Sequence, residues 1–315
     1  MTMNNTQPSS FISNPEKIGI TFAYCLIFLV SLAGNTVLGI IVYKTRTMRK
    51  PINFLIVNMA ISDLLFPIFV IPREIQRLYI DSWLIGGPLG QALCKLVIFL
   101  ADVSFAVSIQ SLVLIAVDRL GAVVYPLRSP LVSSKLCSFF ILATWIIAMA
   151  SHSPYLFAYK LVDYQGGLAC CFLWNEAFGV YSSLENYFVS VLVVFCFIPL
   201  VIIAILYIII YLKLKSHKIP GEHSVNAGQQ RQQRERNVLK KAIAIVLGFV
   251  VCFLPLSIVW FLSSFASNIQ SCGFKFFFSV TVVMARANCA TNPCICFLFS
   301  RSYREGLTNL FRLHK

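Results

Sequence analysis

Five side chains in otherwise apolar surroundings could together hold a small cation. Asp63 supplies a carboxylate, and Asn35, Ser108, Asn288 and Asn292 supply neutral oxygens. Asn288 and Asn292 stand four residues apart, on one face of any helix that carries them. A second set suits a latch: Asp118 and Glu235 each offer a carboxylate to Arg119. A third set mixes signs, with Arg73, Glu74, Arg77, Asp102, Glu185, Lys275 and Arg286 beside the aromatic residues Phe188, Trp260 and Phe278. Such a mixture suits a ligand that itself carries both charges. Each set also admits a structural reading: a polar network between helices, an interfacial arginine, an internal Arg286–Asp102 salt bridge. His152 is the only histidine in an apolar stretch and has no second metal ligand at helical spacing, so no catalytic centre is supported. The chain reads as a non-enzyme with no cofactor, apart from the cation site.

The elements that position these residues follow from composition. Of 315 residues 58% are apolar and 12% charged, far from the balance of a soluble chain. Seven stretches are long enough to cross about 30 Å of hydrocarbon as helices of about 20 residues. They lie near Ile18–Tyr43, Asn53–Arg77, Ala92–Val124, Leu136–Ala158, Tyr187–Leu214, Val238–Ser264 and Phe274–Phe299. Their continuous apolarity predicts helices rather than barrel strands, because lipid-facing backbone must satisfy its own hydrogen bonds. The fold class is an all-α membrane protein, a seven-helix transmembrane bundle.

Net charge is +14. The basic residues crowd the turn after span 1, the stretch between spans 5 and 6, and the tail, so the charge reports membrane topology rather than nucleic-acid binding. Lys44, Arg46, Arg49 and Lys50 follow span 1, which places the N-terminus outside and makes span 1 an anchor rather than a cleaved leader. Residues 1–16 are then an extracellular N-terminus with a glycosylation sequon at Asn4, residues 17–299 the transmembrane domain, and 300–315 an amphipathic helix and short tail on the inner leaflet lipid.

The polar residues sit in stretches that resemble the rhodopsin-type (class A) G-protein-coupled receptors over about Ile18–Phe311. The matching pieces, in order, are Gly34-Asn35-Thr36-Val37, Asn58 to Leu64 around Asp63, Trp83 before Cys94, Asp118-Arg119-Leu120, Trp145, Pro199 with Tyr207, Cys252-Phe253-Leu254-Pro255, and Asn292-Pro293. The segment Met48–Asn58 is similar to that of neuropeptide receptors. The resemblance implies a plasma-membrane receptor that binds an extracellular ligand, a short neuropeptide above all, and activates heterotrimeric G proteins. It implies Na⁺ as the ion at Asp63, a packing switch of Pro199, Ile109 and Phe249, and a disulfide from Cys94 to Cys170 or Cys171. Leu120, Phe253 and Cys296 depart from the family's usual tyrosine, tryptophan and tyrosine, which leaves open a receptor that binds without coupling. Ala101 stands where amine receptors hold a carboxylate, and Arg286 where opsins hold a lysine, so neither an amine nor retinal is implied. A transporter would call for helices broken in paired, inverted halves, which are not apparent.

Overall fold

The computed structural model describes residues 13–80, 82–124, 133–164, 166–179, 181–216, 240, 243–259 and 272–312. Helix α1, Asn14–Lys44, starts three residues before the expected domain boundary. The Ser13 backbone N–H donates to the Glu16 carboxylate at 2.8 Å, which gives the first turn its partner. A short 3₁₀ turn, Arg46–Met48, leads to α2, Pro51–Phe69, whose Pro51 suits a first turn that needs no N–H. After a break at Val70, α3 continues as Ile71–Tyr79. Helix α4, Gly87–Val124, is the longest. Helix α5, Ser134–His152, is capped by Ser133 Oγ, and a single turn α6, Pro154–Ala158, extends it.

The fifth crossing comprises α8, Leu184–Leu192, a π-helical turn Val193–Phe197, and α9, Ile198–Ser216. Pro199 explains the turn, since it cannot donate to the carbonyl of Phe195 and the ladder widens where that bond is missing. The sixth crossing is described over α10, Ile243–Val259. The seventh is a bent pair, α11 (Cys272–Arg286) and α12 (Asn288–Phe299), meeting at 51°. Helix α13, Arg301–Arg312, turns along one end of the bundle.

Helices α2 and α4 form the interior: 61% of the apolar window of the α2–α3 run is buried, against 22% for α5–α6. Helix α4 touches α2, α5 and α9, and so carries its residues into every part of the core. The outward faces remain apolar, as Phe139, Leu142 and Ile146 on α5 show, which is the surface lipid requires.

One element departs from the all-helical expectation. Between the fourth and fifth crossings, β1 (Tyr159–Tyr164) and β2 (Gly167–Phe172) form an antiparallel hairpin, closed by Gly166 at φ +79°. It lies over the bundle mouth. The Trp83 N–H donates to Leu168 O at 2.6 Å, and a Cys94–Cys170 disulfide ties β2 to α4. Cys170 is thus the partner of Cys94. Cys171 keeps a free thiol, which partial burial pushes up from its ordinary pKa. A short α7, Trp174–Phe178, follows the hairpin.

Candidate functional site: a polar core beneath a charged cavity

Two prolines shape the centre of the bundle. Pro67 on α2 lies four residues after Asp63, and Pro293 on α12 four residues after Cys289. Neither has an N–H, so the carbonyls of Asp63 and Cys289 lose their helical donors. Helix α1 replaces them. Ser31 Oγ lies 3.4 Å from Asp63 O and 3.2 Å from Cys289 O, and Asn35 Nδ2 donates to Cys289 O at 3.0 Å. Ser31 is fully buried and was not visible as functional in the sequence, although serine and asparagine one turn apart facing two such prolines form a readable pattern.

The Asp63 carboxylate, 1% exposed, accepts one hydrogen bond, from Asn292 Nδ2 at 2.8 Å. Ser108 Oγ lies close to it without completing a hydrogen bond of good geometry, and Asn288 lines the same cavity as Asp63. Asn35 turns its amide toward Cys289 rather than Asp63. Three buried oxygens, Asn35 Oδ1, Ser108 Oγ and Asn288 Oδ1, lack hydrogen-bond partners among the described residues. Orphaned buried polar atoms are rare and call for an explanation. An oxygen-only donor set with one carboxylate suits a hard cation of low charge, not a transition metal.

Above this centre a cavity of ≈ 70 Å³ runs between α2, α4, α10 and the α11–α12 bend, lined among others by Asp63, Asp102, Phe105, Phe253, Arg286 and Asn288. Arg286 and Asp102 share it, as their positions suggested, but they do not pair. The Arg286 guanidinium instead meets Glu74 Oε1 on α3 at 3.4 Å and lies 5.1 Å over the Phe66 ring, and its buried Nε has no hydrogen-bond partner among the described residues. The internal Arg286–Asp102 salt bridge, the structural alternative for this set, does not form; Arg286 pairs with Glu74. Glu74 stands on the first turn of α3, within reach of the last residue of α11. Arg73 stacks over Trp83 at 4.5 Å. Arg77 lies on α3, one turn beyond Glu74. Phe188 on α8 and Phe278 on α11 do not line this cavity, and Phe188 belongs to an aromatic cluster beside it. Asn4, Glu235 and Trp260 fall outside the described residues.

At the α13 end, Arg119 is held by its neighbour Asp118 in a two-point ion pair, with Nε at 3.2 Å from Oδ2 and a shorter contact from Nη2. Ile109 and Phe249, 0% and 2% exposed, share one apolar cluster with Tyr207, and Pro199 is buried next to that cluster's Leu200. Phe253 packs on Phe105 (4.6 Å) and Phe249 (4.7 Å) directly above. Cys296 lies in a different cluster, against α1 and Tyr303 of α13, so it does not stand in for a tyrosine facing Tyr207. Asn58 links three helices: its amide donates to Ser111 and Thr144, and Trp145 Nε1 donates to its Oδ1 at 2.8 Å.

Seven crossings around a polar core, a mouth covered by a disulfide-tied hairpin and an arginine restrained at the opposite end define a seven-helix membrane receptor. Residues 34–295 match the 7 transmembrane receptor (rhodopsin family) profile, and the chain belongs to that family. Among similar proteins, the QRFP-like peptide receptor of Branchiostoma floridae is 28% identical over 92% of this chain and 76% of its own length. The neuropeptide Y receptor type 2 of Mus musculus is 30% identical over 94% and 77%, and the RYamide receptor of Drosophila melanogaster 27% over 93% and 63%.

Proposed function

We propose that this chain is a plasma-membrane receptor, N-terminus outside, that binds a short extracellular peptide and activates heterotrimeric G proteins. Relatives named for peptides, spread over nearly the whole chain, support the ligand class. The observation that carries the reading is one cavity reaching from Asp102 and Arg286 at the mouth to Asp63 and Asn288 at the centre. A ligand at the mouth and an ion at the centre then act on the same helices. Na⁺ at Asp63, with Ser108, Asn288 and Asn292 beside it, favours the resting state. Pairing of Arg119 with Asp118 does the same at the inner face, and the basic face of α13 rests on lipid headgroups.

The test is nucleotide exchange by G proteins in membranes of cells expressing the chain, challenged with pooled synthetic neuropeptides, with Arg119→Ala as control. Exchange in wild type that Arg119→Ala removes supports the reading. Saturable peptide binding with no exchange across Gα classes would make the chain a non-coupling receptor.

A further inference from the structure

The guanidinium of Arg73 on α3 has no carboxylate partner among the described residues. Glu74, next to it in sequence, is committed to Arg286. Arg77 follows four residues on, along the same face of α3. Its charge opposes that of Arg73 more strongly than the Glu74 carboxylate offsets it. An uncompensated charge at this depth is costly and tends to mark a site for a counter-ion.

The guanidinium stands instead over the Trp83 ring, 4.5 Å from its centroid. Trp83 is 7% exposed, packed in the apolar cluster that also holds Cys94 and Ile71. Arg73 Nη1 and Trp83 Nε1 are both closed to solvent, and neither has a hydrogen-bond partner among the described residues. Two orphaned donors in one stack are rarer than one, and both are of the same kind. Around Asp63 the orphaned atoms are oxygens; here they are N–H groups.

A guanidinium and an indole N–H only donate. A water between them could accept from both, but its own two protons would then need acceptors, and the guanidinium charge would stay unanswered. A small anion needs no such acceptors. It takes charge-assisted hydrogen bonds from the guanidinium and cancels its charge in the same step. The enclosure of both donor atoms excludes a bulky anion such as a peptide carboxylate and leaves room for a monatomic one. We propose that Arg73 and Trp83 form a site for chloride, the abundant small anion outside cells. The ion fastens α3 to the loop that carries the hairpin, because the Trp83 backbone N–H donates to Leu168 O on β2. The site depends on neither the peptide nor the G protein of the reading above.

The experiment is thermal unfolding of the purified full chain while sodium chloride is replaced stepwise by sodium gluconate, so that Na⁺ and ionic strength stay fixed. The midpoint should rise by a few degrees for each tenfold increase in chloride, following its logarithm as mass action at one site requires. Bromide should replace chloride. Trp83→Phe keeps the ring and the stack but removes the N–H, and Arg73→Gln removes the charge; each should abolish the logarithmic response. Equal midpoints in chloride and gluconate, or a rise that stays linear in chloride, would overturn the site. A logarithmic response kept by both variants would also overturn it, by placing the ion elsewhere. Asp81 falls outside the described residues. A chloride response absent from wild type and gained by Asp81→Asn would make that carboxylate the acceptor in place of the ion. The chloride NMR line of the wild-type sample gives a second reading that needs no variant. It should be broadened by exchange with the bound ion and sharpen as bromide is added, and a line that bromide leaves unchanged would overturn the site even if the variants do not fold.

Discussion

Gly34 on α1 lies against the ring of Pro293 on α12: a methyl group added to it would stand 2.8 Å from Pro293 Cβ and 2.9 Å from Cγ. A pyrrolidine ring has no flexible end to withdraw, so Gly34→Ala must move the two helices apart. That motion also strains the Asn35–Cys289 bond, made one residue further along α1. Overpacking of this kind costs about 1–3 kcal/mol. The thermal midpoint of the purified receptor should fall by several degrees, and an unchanged midpoint would show that α1 and α12 separate without cost.

Sodium dependence is expected from the orphaned oxygens of Ser108 and Asn288 beside Asp63. Replacing Na⁺ by a large organic cation at fixed ionic strength should raise agonist affinity, because an ion that prefers the resting state opposes the ligand reciprocally. Asp63→Asn removes the one carboxylate of the set and should abolish the difference. If the mutant keeps the full Na⁺ effect, the ion binds elsewhere.

Arg286 and Glu74 form a pair whose side chains are 29% and 14% exposed, between a surface bridge and a fully buried one. Breaking it should cost about 1–3 kcal/mol, since the remaining charge stays in a partly dry site. Arg286→Gln and Glu74→Gln should each lower surface expression, and the double reversal Glu74→Arg with Arg286→Glu should recover much of it. Recovery by reversing Arg286 with Asp102 instead would mean that the pairing described here is not the working one.

The Asp118–Arg119 pair predicts constitutive activity. Asp118→Asn keeps the shape and removes the charge that holds the guanidinium, so basal second-messenger output per surface receptor should rise. Each ~1.4 kcal/mol shifts the resting-to-active ratio about tenfold. Arg119→Ala should lower ligand-driven output. Basal output unchanged in Asp118→Asn would remove the restraint from this pair.

The crossings were legible because each is a continuous apolar run with few competing signals, and Asp63, Ser108 and Asn292 converge because residues at similar depth on packed helices must meet. Other features depend on geometry that periodicity does not carry. The partner of Arg286 depends on how the outer turns of α3 and α11 meet, so Glu74 could be placed at the mouth but not beside Arg286. Ser31 looks like any small residue in an apolar run until Pro67 and Pro293 are seen to strip two carbonyls of their donors. The hairpin strands are six residues each and are tied by Cys170, one of two partners the family resemblance offered for Cys94, and by Trp83, whose bond to Leu168 no local pattern announces.

The bend in the seventh crossing falls between Arg286, the last residue of α11, and Asn288, the first of α12. Below it, α12 is fastened to α1 through Cys289 and continues into α13, where Tyr303 bonds Asn53 at 3.2 Å and Gly306 seats on Ile41. Above it, α11 is fastened to α3 through Arg286 alone among the ion pairs of the described residues. The crossing is therefore shaped like a crank: its lower arm is bolted to the frame, its upper arm packs on α1 and has one ion pair to α3 among the described residues, and the joint lies beside that pair. Loss of the Glu74–Arg286 link would leave the upper arm without an ion pair to another helix among the described residues, while the lower arm kept its bonds to α1.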